Sequence, residues 1–370
     1  MSSVLAESPA AEDSAGASVT SAAAPFRVID LFAGCGGLTT GFAASGLFRP
    51  VAAVEHDVDA AATYAVNFGE HVHVGDIRDW GTGRVPFAEV VVGGPPCQGF
   101  SALGRKDPDD PRNALWREYL RIVARVRPAF FVIENVPPFL RSDQFAMLRA
   151  ETAEGGLLSG YRLESHLVNA TDFGVPQRRK RAVVIGRPQG MGELGSPVPT
   201  GATATLADAL SDLPPVVTDI DLPSRRMVVN DWDVAGPFSS AELHVTREVS
   251  DVWRRRVEAI PPGGNRLDLP VELQLDCWKN YRGAADVMGR LSWHKPSVTI
   301  RTEFFKPEKG RYLHPDQHRA LTHLEAARLQ GFPDSFMWCG SKASIARQIG
   351  NAVPPLLAEA LARHVGSHLS

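Results

Sequence analysis

The 370-residue chain has only four cysteines, Cys35, Cys97, Cys277 and Cys339. None of them forms a Cys-x-x-Cys pair or lies beside a pair of histidines, so the sequence lacks the ligand spacing of a zinc site and we expect no bound metal. Such a low cysteine content is typical of a reducing compartment, and we expect a cytoplasmic protein. An isolated cysteine in that setting either packs in the core or acts as a nucleophile.

The chain also lacks long hydrophobic runs, a secretory signal and a strong net charge. No apolar run reaches about 18 residues, the length that a membrane helix needs, so we expect no membrane span. The N-terminus has no basic region followed by a hydrophobic one. The formal net charge of −3 argues against a protein that coats polyanions without specificity. It allows a sequence-specific nucleic-acid enzyme, because such a protein can gather its basic residues on one face.

Residues 1–25 are rich in Ala, Ser and acidic side chains without periodicity, which predicts a disordered tail. From there to residue 187, short apolar runs alternate with helical stretches, and no repeat is visible. This alternation predicts an α/β fold, a Rossmann-like parallel sheet covered on both faces. We expect strands at 28–32, 51–55, 90–92, 130–134, 161–168 and 182–185, and helices at 58–68 and 115–126.

The amino-acid composition changes after Arg187. Pro, Gly and Asp become frequent there, and the periodicity of the apolar residues weakens. We expect a smaller, irregular second domain over residues 188–320. A capping box from Thr322 to Glu325 predicts the start of a helix in a bracing segment over 321–345. Pro354 suits the first turn of a final helix within 346–370.

The first candidate site is the glycine-rich turn from Asp30 to Gly37 (DLFAGCGG), at the end of the first predicted strand. Small residues there let a ligand approach the backbone. Glu55, at the end of the next strand, can accept hydrogen bonds from both ribose hydroxyls of a nucleoside cofactor. Asp76 follows a further short strand after Glu55 and can bind the adenine amino group of the same cofactor. The alternative is a tight turn without a ligand. The spacing differs from the dinucleotide pattern G-x-G-x-x-G.

The second candidate is Cys97, in the segment GGPPCQGFS that follows the strand at 90–92. A thiolate is the strongest ordinary side-chain nucleophile near neutral pH. The prolines fix the approach to Cys97, the glycines leave room for a substrate, and the polar stretch 102–112 has the character of a lid. The alternative is a cysteine buried by packing, which seldom requires a Pro/Gly turn at a strand end.

Two further polar groups lie at later strand ends. Glu134 ends an apolar strand, where burial favours the protonated form that can hydrogen-bond a base ring nitrogen; the alternative is a carboxylate that caps a helix. In the run 177–181 (QRRKR), alternation places Arg179 and Arg181 on the same side as Gln177. These arginines can hold a base carbonyl or a phosphate, or form a solvated basic edge.

Together these motifs resemble the cytosine-5 DNA methyltransferase family, in the family's order, over residues 28 to about 365. The resemblance rests on 30–37 (DLFAGCGG), 95–98 (PPCQ), 134–136 (ENV), 177–181 (QRRKR), 290–300 (RLSWHKPSVTI), 325–333 (EAARLQGFP) and 348–353 (QIGNAV). It implies that residues 188–320 are a target-recognition domain, whose clusters Arg225–Arg226 and 254–256 either contact phosphates or base edges or are ordinary surface charge.

The resemblance also implies a mechanism with S-adenosylmethionine as methyl donor. The Cys97 thiolate would add to C6 of a cytosine flipped out of duplex DNA, so that C5 accepts the methyl group. Glu134 would support N3 and the exocyclic amine, Arg179 would hold the base carbonyl, and Arg181 would support the site from nearby. The implied cofactor positions are Phe32, Gly34, Gly36, Glu55, Asp76, Ile77, Pro96, Leu115, Asn351 and Ala352.

The same resemblance suggests a monomer, with a cognate restriction endonuclease encoded nearby. Two alternatives stay open. A tRNA methyltransferase on this scaffold would carry a Cys-Phe-Thr tripeptide, which the sequence lacks. A non-catalytic DNA-binding regulator would have no chemical need for Cys97, Glu134 and Arg179.

Overall fold

A computed structural model describes residues 24–96, 111–279 and 283–369, without the side chains of 111–114. Cys97 and nearly all of the predicted tail lie outside these ranges. The strands are β1 Phe26–Leu31, β2 Phe48–Glu55, β3 Val72–Val74, β4 Val90–Gly93, β5 Phe130–Asn135, β6 Tyr161–Asn169, β7 Lys180–Pro188, β8 Arg226–Val229, β9 Trp232–Ala235, β10 Phe238–Ser239 and β11 Met337–Trp338. The helices are α1 Gly37–Ala44, α2 Val58–Phe68, α3 Ile77–Trp80, α4 Pro111–Val126, α5 Asp143–Glu151, α6 Leu206–Leu210, α7 Asp251–Glu258, α8 Asp276–Lys279, α9 His323–Gln330, α10 Lys342–Asn351 and α11 Pro355–Gly366.

The centre of the fold is a seven-stranded sheet in the order β3-β2-β1-β4-β5-β7-β6. Strands β1 to β5 run parallel, as the alternating pattern predicts, but β7 is antiparallel to both of its neighbours. The predicted parallel arrangement therefore holds for β1 to β5 and does not extend to β7. The connection from Asn169 to Lys180 is too short for the helical crossover that a parallel pair requires.

Helices cover both faces of this sheet, because successive strand residues point to opposite sides. Val28 packs with Phe42 and Leu361 of α1 and α11, whereas its neighbour Ile29 packs with Trp116 of α4 on the other face. Strands β4 and β5 are buried along their whole length. The doubly covered α/β sheet is confirmed.

The region after β7 has short elements and contributes residues to several hydrophobic clusters. Residues of α6 and β10, such as Leu206 and Phe238, pack with α9 and α10 through Leu324 and Ile345. A smaller cluster around Val257 of α7 includes Ile260, Leu269, Met288 and Leu313. The predicted recognition domain thus contributes to more than one core and shares the first of them with the bracing segment.

The predicted start positions of the two helices near the C-terminus agree with the structure. Thr322 and Glu325 form the capping box of α9, with each side chain bonded to the other's backbone N–H. Glu325 is buried and paired with Arg319 at 2.6 Å. Pro354 precedes the first turn of α11. Among the described residues, no helix combines the length and the apolar character needed to cross a membrane.

Candidate active site

The glycine-rich turn after β1 depends on left-handed backbone angles. Phe32 has a φ of 59°, which ends the strand at Leu31, one residue before the predicted end. Gly34 and Gly36 have φ values of 56° and 93°. A Cβ on Gly36 would lie 2.4 Å from the ring of Phe68, whereas one on Gly34 would meet nothing within 4 Å. Gly34 therefore leaves room for a ligand at the turn, and Gly36 allows the turn to pack against α2.

Glu55 at the end of β2 is held against this turn. Its Oε2 accepts the Gly34 N–H at 2.8 Å, and its Oε1 accepts the Asp57 N–H at 2.7 Å. Burial raises the pKa of Glu55, while these backbone hydrogen bonds oppose the shift. Each carboxylate oxygen keeps a further lone pair, so the group can accept the two ribose hydroxyls predicted from the sequence.

Asp76 caps α3 directly after β3, and its Oδ1 accepts the Arg78 N–H at 2.8 Å. The Arg78 guanidinium also contacts both carboxylate oxygens, which lowers the pKa of Asp76 to about 2. Sequence reasoning missed Arg78, although its position two residues after the capping Asp76 was a usable signal. Asp76 therefore stays charged and is already partnered on one side.

Three apolar residues among those predicted to surround the cofactor belong to the same hydrophobic cluster. Ile77 is buried in one hydrophobic cluster, and the half-buried Phe32 and Leu115 pack against the same cluster. These three residues come from three separate segments of the chain.

The C-terminal segment returns to the glycine-rich turn. A Cβ on Gly37 would lie only 2.4 Å from the Val353 carbonyl oxygen and 3.4 Å from the Ala352 Cβ. Asn351, the last residue of α10, is exposed beside it. The structure therefore brings Ala352 against the start of α1. The sequence implied a place for Ala352 near the cofactor only through the family resemblance.

A buried polar chain runs behind the turn, and sequence reasoning missed it. The Thr39 hydroxyl donates to Asp30 Oδ2 at 2.7 Å and lies 3.2 Å from the Tyr64 hydroxyl, which in turn lies 3.2 Å from His71 Nε2. Burial raises the pKa of Asp30 to about 7. The sequence signal for this chain was Asp30 itself, an acidic residue inside an otherwise apolar β-strand.

The turn that leads to Cys97 is fixed from the neighbouring strand. Cys97 itself lies outside the described residues, and Pro96 is the last one before it. The Asn135 side-chain amide donates to the Pro95 carbonyl at 2.9 Å. A Cβ on Gly94 would be 3.7 Å from Glu134 Oε2, so the approach to Cys97 runs directly beside Glu134.

Glu134 and Arg181 form a buried ion pair at the ends of β5 and β7. Arg181 Nε lies 2.7 Å from Glu134 Oε1, and the two side chains are only 11% and 9% exposed. Burial of a carboxylate is tolerated when a cation compensates it. The pair therefore places a carboxylate and a guanidinium next to the turn before Cys97.

Arg179 occupies a different environment. Its Nη1 donates to the Ile300 carbonyl, and its Nη2 donates to the carbonyls of Gly350 and Ala352, all at 3.0 Å. Gln177 is bonded on the same side, to Ile300 N–H and to Gln330 of the bracing segment. The sequence predicted Arg179 as the base contact and Arg181 as its support. In the structure Arg181 makes the contact with Glu134, while Arg179 ties the sheet to two distant segments.

The arginines of the recognition region also differ from one another. Arg225 is paired with Glu242, and Arg226 lies 2.8 Å from Asp233. Arg256 donates to the Leu273 carbonyl at 2.7 Å. Arg254 and Arg255 are exposed. Among the described residues, no group of three His, Cys, Asp or Glu side chains is arranged to hold a metal ion.

The fold and this arrangement define a Rossmann-like methyltransferase. The family model for C-5 cytosine-specific DNA methylases matches residues 26–367, and the chain belongs to that family. It is 35% identical over 350 residues to the Type II methyltransferase M1.HphI of Haemophilus parahaemolyticus, which covers 91% of this chain and 86% of that protein. It is 33% identical over 359 residues to M.XorII of Xanthomonas oryzae pv. oryzae, which covers 90% and 82%.

A solved structure supports the same assignment. A putative DNA modification methyltransferase encoded within an E. coli prophage matches with a TM-score of 0.69 and 27% identity, over 93% of this chain and 99% of that one. The chain is thus a DNA methyltransferase, and the methyl donor of its family is S-adenosylmethionine.

Proposed function

We propose that this protein methylates C5 of a cytosine within a specific sequence of duplex DNA, through a covalent bond between Cys97 and C6 of the base. The observation that carries the proposal is the buried pair of Glu134 and Arg181 beside the turn that Asn135 fixes in front of Cys97. Because stacking in a duplex covers the faces of the cytosine ring, the base has to be flipped out before a thiolate can attack C6 beside this pair.

The residues around the glycine-rich turn fit S-adenosylmethionine. Gly34 leaves its side of the turn open, Glu55 presents a fixed carboxylate for the ribose, and Phe32, Ile77 and Leu115 offer an apolar wall. We assign Gly36, Asp76, Pro96, Asn351 and Ala352 to the same site from the family resemblance. When bound, the cofactor supplies an electrophilic methyl group.

The chain's own residues activate the base. The Cys97 thiolate adds to C6, and the electron pair of the C5–C6 bond makes C5 a nucleophile. After C5 is methylated, loss of its proton and of the thiolate restores the ring. The carboxyl group of Glu134 supports N3 and the exocyclic amine while charge shifts through the ring.

We assign the contact with the base carbonyl to Arg181 rather than Arg179. The Arg181 guanidinium is already at Glu134, and it has donors on several edges that can serve both a carboxylate and a carbonyl oxygen. Arg179 would then be a positioning residue, because its Nη groups bond to the backbone at 300, 350 and 352.

The relatives' names support a place among Type II modification enzymes, with residues 188–320 as the recognition domain. We further expect a monomer in the cytoplasm and a cognate endonuclease encoded nearby. Residues 321–345 and 346–370 would brace this domain and return to the catalytic domain, 26–187.

Bisulfite sequencing of DNA from cells that express the protein tests the activity and identifies the target. We expect protected cytosines in one recurring sequence, and their absence would refute the proposal.

Duplexes with 5-fluorocytosine at that position should form a covalent complex in the presence of methyl donor, because fluorine cannot leave as a proton does. Cys97→Ser should form no complex, and full methyl transfer by this variant would refute the role of Cys97.

A further inference from the structure

A groove of about 430 Å³ lies where the central sheet meets the second domain. Its lining includes Asn169, Thr171, Asp172, Arg178, Thr203 and Pro296, which come from four separate segments of the chain. We propose that this groove binds a backbone phosphate of the target DNA, with Arg178 as the cation. The proposal rests on the DNA-methylating function proposed above.

The backbone of Arg178 is held on both sides. Its N–H donates to the Ser297 carbonyl at 2.9 Å, and its own carbonyl accepts the Thr299 hydroxyl at 2.8 Å. The neighbours Gln177 and Arg179 are buried, whereas Arg178 is exposed. Within the described ranges, its guanidinium has no hydrogen bond or ion pair. It is therefore a pre-positioned cation whose planar fork matches a phosphate.

The groove opens at the same sheet edge as the candidate active site. Asn169 pairs with Lys180 and Val168 with Arg181 in the ladder between β6 and β7. Arg178 is three residues before Arg181, a span of at most about 10 Å. A DNA strand whose base reaches Glu134 would thus have its flanking phosphates near the groove that holds Arg178, which alternation places on the other side of the chain from Arg179 and Arg181.

Two arginines of the recognition region contrast with Arg178. Arg225 and Arg226 are compensated by Glu242 and Asp233, so a phosphate would have to displace a carboxylate. In the groove the opposing charge is Asp172, which is exposed and accepts a hydrogen bond from the Thr171 hydroxyl at 3.3 Å. Asp172 should weaken phosphate binding, and this provides a second test with the opposite sign.

The test is the salt dependence of binding to a short duplex that carries the methylated site, measured by fluorescence anisotropy. Arg178→Gln should weaken binding about three- to tenfold and reduce the slope of log K against log salt by about 0.9. Asp172→Asn should tighten binding. Arg162→Gln is the matched control, because Arg162 is exposed at the opposite end of β6 and pairs with Arg187 in the ladder.

An Arg178→Gln slope equal to that of the wild type would overturn the groove assignment, as would an equal loss in Arg162→Gln or weaker binding by Asp172→Asn. These results would leave the proposed function intact, provided that the wild-type protein methylates the duplex. Failure of the wild type to methylate any DNA would refute the proposed function itself.

Discussion

Arg181 Nε lies 2.7 Å from Glu134 Oε1 at the end of two adjacent strands, and both side chains are almost fully buried. Since neither group is well hydrated, each depends on the other for compensation of its charge. The pair is thus both a structural contact and, in the function proposed here, the surface that meets the cytosine ring.

Removal of Arg181 should reduce methyl transfer and stability together. We expect Arg181→Ala to lower kcat by about 10²–10³ and to cost about 3–5 kcal/mol of unfolding free energy, because Glu134 keeps a buried charge without its partner. Single-turnover kinetics and urea unfolding measure the two effects. Arg149→Gln, on the exposed face of α5, is the control. An unchanged kcat in Arg181→Ala would contradict the base-contact role.

Arg179→Lys should act mainly on stability. Lysine keeps the charge but lacks the planar fork that reaches three carbonyls, so we expect a loss of about 2–4 kcal/mol in urea unfolding. Arg162→Lys should leave the unfolding midpoint unchanged. If Arg179→Lys instead abolished methyl transfer with wild-type stability, Arg179 would be the base contact after all.

Gly37→Ala should weaken cofactor binding. The added Cβ would press on the Val353 carbonyl at 2.4 Å and push the C-terminal segment away from the glycine-rich turn. We expect about a tenfold higher Kd for S-adenosylmethionine by calorimetry, from an overpacking cost of about 1–3 kcal/mol. Gly192→Ala, where a Cβ meets nothing within 4 Å, should bind normally. Equal affinities of the two variants would contradict this contact.

Asp30 should make stability decrease with rising pH. Burial raises its pKa from 3.8 to about 7, so between these values the folded protein keeps a proton that the unfolded chain has lost. Its contribution to the unfolding free energy is therefore present below pH 3.8 and lost as the pH rises towards 7. Relative to Asp30→Asn, the wild type should lose on the order of 2–4 kcal/mol over this range. Parallel pH profiles in urea unfolding would exclude this assignment.

Much of the fold could be predicted because its signals are local. The apolar runs that became β1, β4 and β5 are visible in the sequence, and so is the capping box of α9. The antiparallel direction of β7 was missed, because strand direction depends on the length and path of a connection. The sequence could not say which of the two arginines meets Glu134, since they are only two positions apart and both lie near the start of β7.

The sequence by itself determined the chemical groups and their order along the chain: the glycine-rich turn, Glu55, the Pro-Pro-Cys segment, Glu134 and the arginine run. Such motifs are short, and each lies at or next to the end of a local apolar strand. Only the tertiary structure decided which groups meet. The Arg181–Glu134 pair, the three carbonyls on Arg179 and the contact of Gly37 with Val353 join segments far apart in the chain. Their partners depend on packing and burial, which no local pattern specifies.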